Sequence, residues 1–170
     1  MPIIDRLEID IARQRLRSFH AARELRCYRV STARNGAGEM IDSERTPRGG
    51  HEIAEKIGAD CAPNTVFVAR RPTGEIYDAQ FAARHPERDW ILTRILWLAG
   101  RDHGYNSGGE RDTKARYIYI HGTPDSTPLG QPGSRGCIRM GNADIIELFD
   151  AVTVGTRVDI VESTAPPAWR

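Results

Sequence analysis

The sequence predicts a mainly β fold in a single domain. Three observations carry that expectation: the apolar runs are short and rich in β-branched and aromatic residues, Gly, Pro, Asn and Asp turn signals separate them, and 170 residues suffice for one hydrophobic core with little room for a second. The core is expected over about 6–162, with 163–170 as a Pro-containing tail. No repeat, low-complexity tract or linker interrupts it.

The first strands are expected at 7–11, 14–19 and 25–31, the second and third joined by a turn at 21–23, which makes a meander. A polar loop at 32–50 leads to a strand at 51–57. The run at 65–70 reads as a strand, and Pro72-Thr73-Gly74 as the turn that returns it into 75–77, because Pro presets φ and Gly accepts positive φ. DWILTRILWLA at 89–99 suits a strand or a three-turn helix, and its Ile, Thr and Trp content favours the strand. The polar segment 100–114 is expected to be an exposed loop. The strand pattern resumes at 116–120, with Tyr117 and Tyr119 packing on one face and His121 at its end. Asn142 is placed as the N-cap of a helix carrying Asp144 in its first turn and Ile145, Ile146, Leu148 and Phe149 on its apolar side. A turn at 154–156 feeds a final strand at 157–161.

With 24 basic and 23 acidic residues interspersed, the formal net charge of +1 offers no field that would draw the chain to nucleic acid or an anionic membrane. The N-terminal stretch MPIIDRLEIDIARQRLRS breaks its apolar residues with charges and no run approaches a membrane span, so the sequence reads as cytoplasmic. Cys27, Cys61 and Cys137 are odd in number and widely spaced, which predicts free thiols rather than a disulfide framework or a structural zinc site. Neither a metal-ligand pattern nor a nucleotide motif is present, and no cofactor is expected.

The chemistry concentrates in YIYIHGTPDSTPLGQPGSRGCIRM, residues 117–140, where His121 and Cys137 stand at opposite ends of one Gly/Pro-rich loop. A thiol is a strong nucleophile only as the thiolate, so it needs a base such as an imidazole to take its proton. Gly136 permits close backbone approach, and a helix starting just after Cys137 would supply N–H groups that lower the thiol pKa and hold an oxyanion. Cys27 and Cys61 are read as structural, and His51 and His103 are given no function.

On Ile120-His121-Gly122-Thr123, Leu129-Gly130 and Ser134-Arg135-Gly136-Cys137-Ile138-Arg139-Met140, the chain resembles the L,D-transpeptidase catalytic domain family, the YkuD type, of bacterial cell-wall enzymes. Val30-Ser31-Thr32, Thr46-Pro47-Arg48-Gly49, Lys56-Ile57-Gly58 and Gly155-Thr156-Arg157-Val158 extend the likeness over roughly 6–162. The resemblance implies a β-sandwich-like catalytic fold with one or two short helices. It also implies that Cys137 is the nucleophile, His121 the base that later acts as acid, and the Gly122 carbonyl the group that orients the imidazole. The amides around Arg135, Gly136 and Cys137 would form the oxyanion hole.

Arg135 stands where the family commonly has His, so it cannot share proton transfer and could instead bind a carboxylate or favour the thiolate. Arg139 is read either as a substrate contact or as a structural cation tied to the 101–114 loop. Ser134, grouped with the substrate-binding candidates, is expected to bond backbone within its loop.

The implied partner is the peptide stem of murein, a tetrapeptide ending in D-Ala, and acylation of Cys137 by carbapenems is an expectation of the same kind. Reading the chain as cytoplasmic favours hydrolysis of that D-Ala in murein recycling, an L,D-carboxypeptidase. The alternatives are an L,D-transpeptidase forming 3→3 cross-links or exchanging D-amino acids, and an inactive murein-peptide binding module. A papain-like peptidase fits poorly because His121 precedes Cys137 and a loop, not a long helix, leads to the thiol.

Overall fold

A computed structural model describes residues 2–164, so 165–170, most of the expected tail, lie outside the described residues. Ten strands form one sheet: β1 Arg6–Asp10, β2 Arg15–His20, β3 Arg23–Ser31, β4 Gly49–Ile57, β5 Thr65–Val68, β6 Arg71–Ile76, β7 Ile91–Gly100, β8 Tyr119–Gly122, β9 Ile138–Met140 and β10 Arg157–Val161. Two helices accompany them, α1 Ala79–Ala83 and α2 Asn142–Ala151. The spatial order is β4-β10-β1-β2-β3-β9-β8-β7-β5-β6, and β4 also pairs with β7, which closes eight strands into a barrel-like sandwich. The β5–β6 hairpin continues from the edge of β7 beyond the end of β4.

Strand alternation sets the core. Leu7 and Ile9 of β1, Leu16 of β2, Val30 of β3 and Val158 and Ile160 of β10 are buried, while Arg6, Glu8, Arg17, Arg157 and Asp159 face outward between them. Helix α2 buries Ile145, Leu148 and Phe149, one helical face, in the same core as Leu96 and Leu98 of β7 and Ile120 of β8. Among the described residues no helix is long and apolar enough to cross a membrane.

Several local expectations are corrected. The hairpin turn lies at Ala69 and Arg70, both at positive φ (48° and 64°), not at 72–74. Two successive left-handed residues match the twist of a two-residue hairpin, and Pro72 is tolerated because β6 is the last strand of the sheet and needs no outward N–H. The unassigned stretch after β6 holds α1, capped by Asp78 Oδ1 accepting from the Phe81 N–H at 2.7 Å.

The strand expected at 116–120 starts later, because Tyr117 adopts φ 57° and stands half exposed outside the ladder, leaving Tyr119 alone buried. The 100–114 segment is not simply exposed. Asn106 and Thr113 are buried, Asn106 donating to the Arg48 and Gly50 carbonyls and Thr113 Oγ1 lying 2.9 Å from His51 Nε2. Cys27, read as structural, is exposed on the outward face of β3.

Candidate active site

The site is built on β8 and β9, which pair in parallel with Ile120 opposite Ile138 and His121 opposite Arg139. Cys137 immediately precedes β9 and continues that register beside Tyr119, whose N–H donates to the sulfur at 3.3 Å. Side chains two apart share a strand face, so Tyr119, His121, Cys137 and Arg139 all project to one side of the sheet. Cys137 packs there against a small cluster around Phe67, Ile95 and Tyr119 and is only part-buried.

His121 is buried, with Nδ1 2.6 Å from the carbonyl oxygen of Gly122. A carbonyl can only accept, so Nδ1 carries the hydrogen and Nε2 presents a lone pair. Burial lowers the imidazole pKa, opposed by the Gly122 hydrogen bond and by the negative charge of Asp89. Gly122 cannot be enlarged in place: a Cβ there would lie 2.5 Å from both the Leu92 carbonyl oxygen and Asn142 Oδ1.

The thiol environment differs from expectation. Cys137 is followed by β9, and α2 starts only at Asn142 with Gly141 as its N-cap, so the residues after Cys137 continue a strand rather than open a helix. Asn142 is not the cap; its side chain is bonded to Thr93 and Asn64. Burial pushes the thiol pKa up to about 12, the Tyr119 N–H and the charges of Arg139 and Arg116 only partly offsetting it. The thiol hydrogen is donated to the Tyr117 carbonyl at 3.3 Å. The Cys137 thiol and the His121 imidazole are therefore both neutral at rest.

The loop before Cys137 is tied internally. Ser134 Oγ donates to the Cys137 carbonyl at 2.5 Å and accepts from the Gly136 N–H at 3.1 Å, so the Gly136 amide, one of the expected oxyanion donors, is already engaged. The Tyr119 N–H on the sulfur is a donor that the strand pattern alone did not single out. Thr46 Oγ1 donates to the Gly136 carbonyl and accepts from the Ala33 N–H, both at 2.9 Å, stitching the 32–50 loop to the loop before Cys137. Gly136 sits at φ 135° with the Arg45 carbonyl oxygen 3.3 Å from where a Cβ would be.

Arg139 is fixed by Asp89 Oδ1 at 2.8 Å and the Gly133 carbonyl at 3.2 Å, not by the 101–114 loop. That ion pair acts electrostatically on both His121 and Cys137, with Asp89 raising and Arg139 lowering each pKa. Arg116, unremarked in the sequence, sends its guanidinium to the carbonyls of Gly38, Glu39 and Arg45 and to Ser43 Oγ, clamping the 38–45 loop beside the site. Arg135 is exposed on the wall shared by two cavities, of about 580 and 290 Å³. Among the described residues no group of three or more His, Cys, Asp or Glu side chains could hold a metal ion.

The sequence profile of the L,D-transpeptidase catalytic domain, YkuD, matches residues 4–160. Over 41 residues the chain is 54% identical to the YkuD protein of Bacillus licheniformis, covering 24% of this chain and 25% of that protein. Over 65 residues it is 40% identical to the YqjB protein of Bacillus subtilis, covering 38% and 35%. The matched segments thus span about a quarter to a third of those relatives' lengths.

Among solved structures, the L,D-transpeptidase of Xylanimonas cellulosilytica superposes with a TM-score of 0.52 at 20% identity, over 94% of this chain and 61% of that one. L,D-transpeptidase 3 of Mycobacterium tuberculosis, in complex with a faropenem-derived adduct, gives 0.58 at 16% identity, over 95% and 61%. At these identities the structures establish the shared fold.

Proposed function

The chain belongs to the L,D-transpeptidase catalytic domain family, and from that premise we propose that it is a cysteine acyl-transfer enzyme acting on the murein stem tetrapeptide, with Cys137 as nucleophile. The carrying observation is the Nδ1 contact of His121 with the Gly122 carbonyl, which fixes the tautomer and leaves Nε2 as a base on the face that Cys137 shares. The thiol leaves the Tyr117 carbonyl and passes its proton to Nε2 as sulfur attacks the carbonyl before the terminal D-Ala. The Tyr119 N–H, already directed at the sulfur, supports charge developing there. Collapse breaks the C–N bond, His121 returns the proton to the departing amine, and a thioester remains on Cys137.

The acceptor decides the product. Hydrolysis, giving L,D-carboxypeptidase activity, requires no second binding site beside the part-exposed sulfur. Transfer to an amine, giving 3→3 cross-links or D-amino-acid exchange, is the reading favoured by the names of the structural neighbours, both L,D-transpeptidases. Incubation with free and disaccharide-linked tetrapeptide, with and without a D-amino acid, resolves the outcomes by mass. Tripeptide alone supports hydrolysis, dimers or exchanged tetrapeptide support transfer, and identical traces from wild type and Cys137→Ala refute the enzyme reading.

A further inference from the structure

Behind His121 lies a buried polar cluster that the acyl-transfer steps do not use. In the β7–β8 ladder Leu92 pairs with Gly122 and Ile95 with His121, so β7 carries two extra residues, Thr93 and Arg94, opposite the step from His121 to Gly122. A bulge of this kind re-aims the backbone beside it. Thr93 is fully buried and stands at φ 75°, in the left-handed region that a β-branched residue rarely enters. That conformation places its hydroxyl in a closed ring of hydrogen bonds. Thr93 Oγ1 accepts the Asn64 N–H at 3.0 Å and donates to Asn142 Oδ1 at 2.6 Å, and Asn142 Nδ2 donates back to Asn64 Oδ1 at 3.0 Å. A longer contact runs from Asn142 Nδ2 to Asp125 Oδ1 at 3.4 Å.

The ring abuts the residue that orients the imidazole. A Cβ on Gly122 would lie 2.5 Å from Asn142 Oδ1 and from the Leu92 carbonyl oxygen, and 3.0 Å from Thr93 Cβ, so the Gly122 backbone is packed against the ring without slack. The Gly122 carbonyl is the acceptor that keeps the hydrogen of His121 on Nδ1. Were that carbonyl to swing away, the hydrogen could move to Nε2, and the lone pair offered to the thiol would be lost. We propose that Asn64, Thr93 and Asn142 are positioning residues for His121: the ring holds the Gly122 peptide, and through it the tautomer whose Nε2 lone pair serves the face that Cys137 shares. Taken with the base role proposed above for His121, on which this depends, the three act through Gly122 on the rate of acylation and not on substrate binding.

Nitrogen NMR spectra of isotopically labelled imidazoles at neutral pH, with His121→Gln identifying the signals, read the tautomer directly. Single-turnover acylation by the stem tetrapeptide reads its consequence. Thr93→Val keeps the branched shape and removes the hydroxyl, whereas Thr93→Ser keeps the hydroxyl. Asn64→Gly keeps the N–H and suits the positive φ of 67°, and removes only the carbonyl that Asn142 Nδ2 reaches. The wild type should carry the His121 hydrogen on Nδ1. Thr93→Val should give a mixture of tautomers and slow acylation about tenfold or more, with the half-saturating peptide concentration within about twofold of wild type. Asn64→Gly should shift both readouts in the same direction, with acylation slowed about threefold, and Thr93→Ser should match the wild type. If Thr93→Val does not fold, Asn64→Gly decides the matter. Lowered melting temperatures with the His121 spectrum and the acylation rate both unchanged would show that the ring only anchors α2, and would overturn the inference. A wild type that forms no acyl-enzyme overturns the stem-peptide reading, while the imidazole spectra of the same variants still decide whether the ring sets the tautomer.

Discussion

A thiol held near pKa 12 makes a specific kinetic prediction. An ordinary thiol here would titrate at 9.0, so burial suppresses the resting thiolate roughly a thousandfold, leaving a fraction of about one in 10⁵ at pH 7. The cause is desolvation, with the Asp89 charge adding to it and the Tyr119 N–H, Arg139 and Arg116 opposing it. Alkylation of Cys137 by iodoacetamide, followed by peptide mapping in a Cys27→Ser/Cys61→Ser background, should therefore accelerate about tenfold per pH unit from 7 to 10 without levelling. In the proposed mechanism substrate acylation follows a different course, because there the proton goes to His121 as the bond forms. His121→Gln should slow acylation by about 10²–10⁴ while leaving the alkylation slope unchanged. A plateau in alkylation below pH 8 would show a preformed thiolate–imidazolium pair and refute the neutral resting state.

Other consequences are open to direct measurement. His51, buried against the Gly49 carbonyl and Thr113, has its pKa lowered by burial from 6.5 to about 4, so the unfolded chain binds the extra proton between those values and stability falls as pH drops through that window. Urea unfolding should lose about 2 kcal/mol from this group between pH 7 and pH 5, and His51→Gln should flatten the dependence. Gly122→Ala should destabilise by about 1–3 kcal/mol and depress turnover, since its Cβ would crowd the Leu92 carbonyl and Asn142, read by thermal unfolding and acylation rate. Thr46→Val strands the buried Ala33 N–H and Gly136 carbonyl, for a cost of about 1–3 kcal/mol and slower acylation at unchanged alkylation slope. Arg116→Met should loosen the 38–45 loop, detected as faster amide exchange there together with a lower acylation rate.

The strands, and the placing of His121 and Cys137 at the two ends of one loop, were legible because their signals are local. Alternating residues such as Leu7/Ile9 and Val158/Ile160 mark core-facing positions, and the His121-to-Cys137 segment carries its own Gly and Pro punctuation. What could not be read depends on partners distant in sequence. Parallel pairing of β8 with β9 displaced the helix from Cys137, and with it the reason to expect a depressed thiol pKa. Thr93, a β-branched residue at φ 75° in a β7 irregularity, lies where Gly122 and Asn142 crowd the strand, a conformation that composition gives no cause to expect. The Ala69–Arg70 turn lacks Gly and Asn altogether, and Pro72-Thr73-Gly74 offered a stronger but misplaced turn signal. Arg116 and Thr46 act through backbone carbonyls many residues away, which no local pattern encodes.

Intact-protein mass spectrometry after rapid mixing with the stem tetrapeptide tests the central claim most directly. A covalent tripeptide adduct on Cys137, formed with release of D-Ala, delayed in His121→Gln and missing in Cys137→Ala, is the predicted result. Release of D-Ala by Cys137→Ala, or an adduct mapped to Cys27 or Cys61, would contradict it.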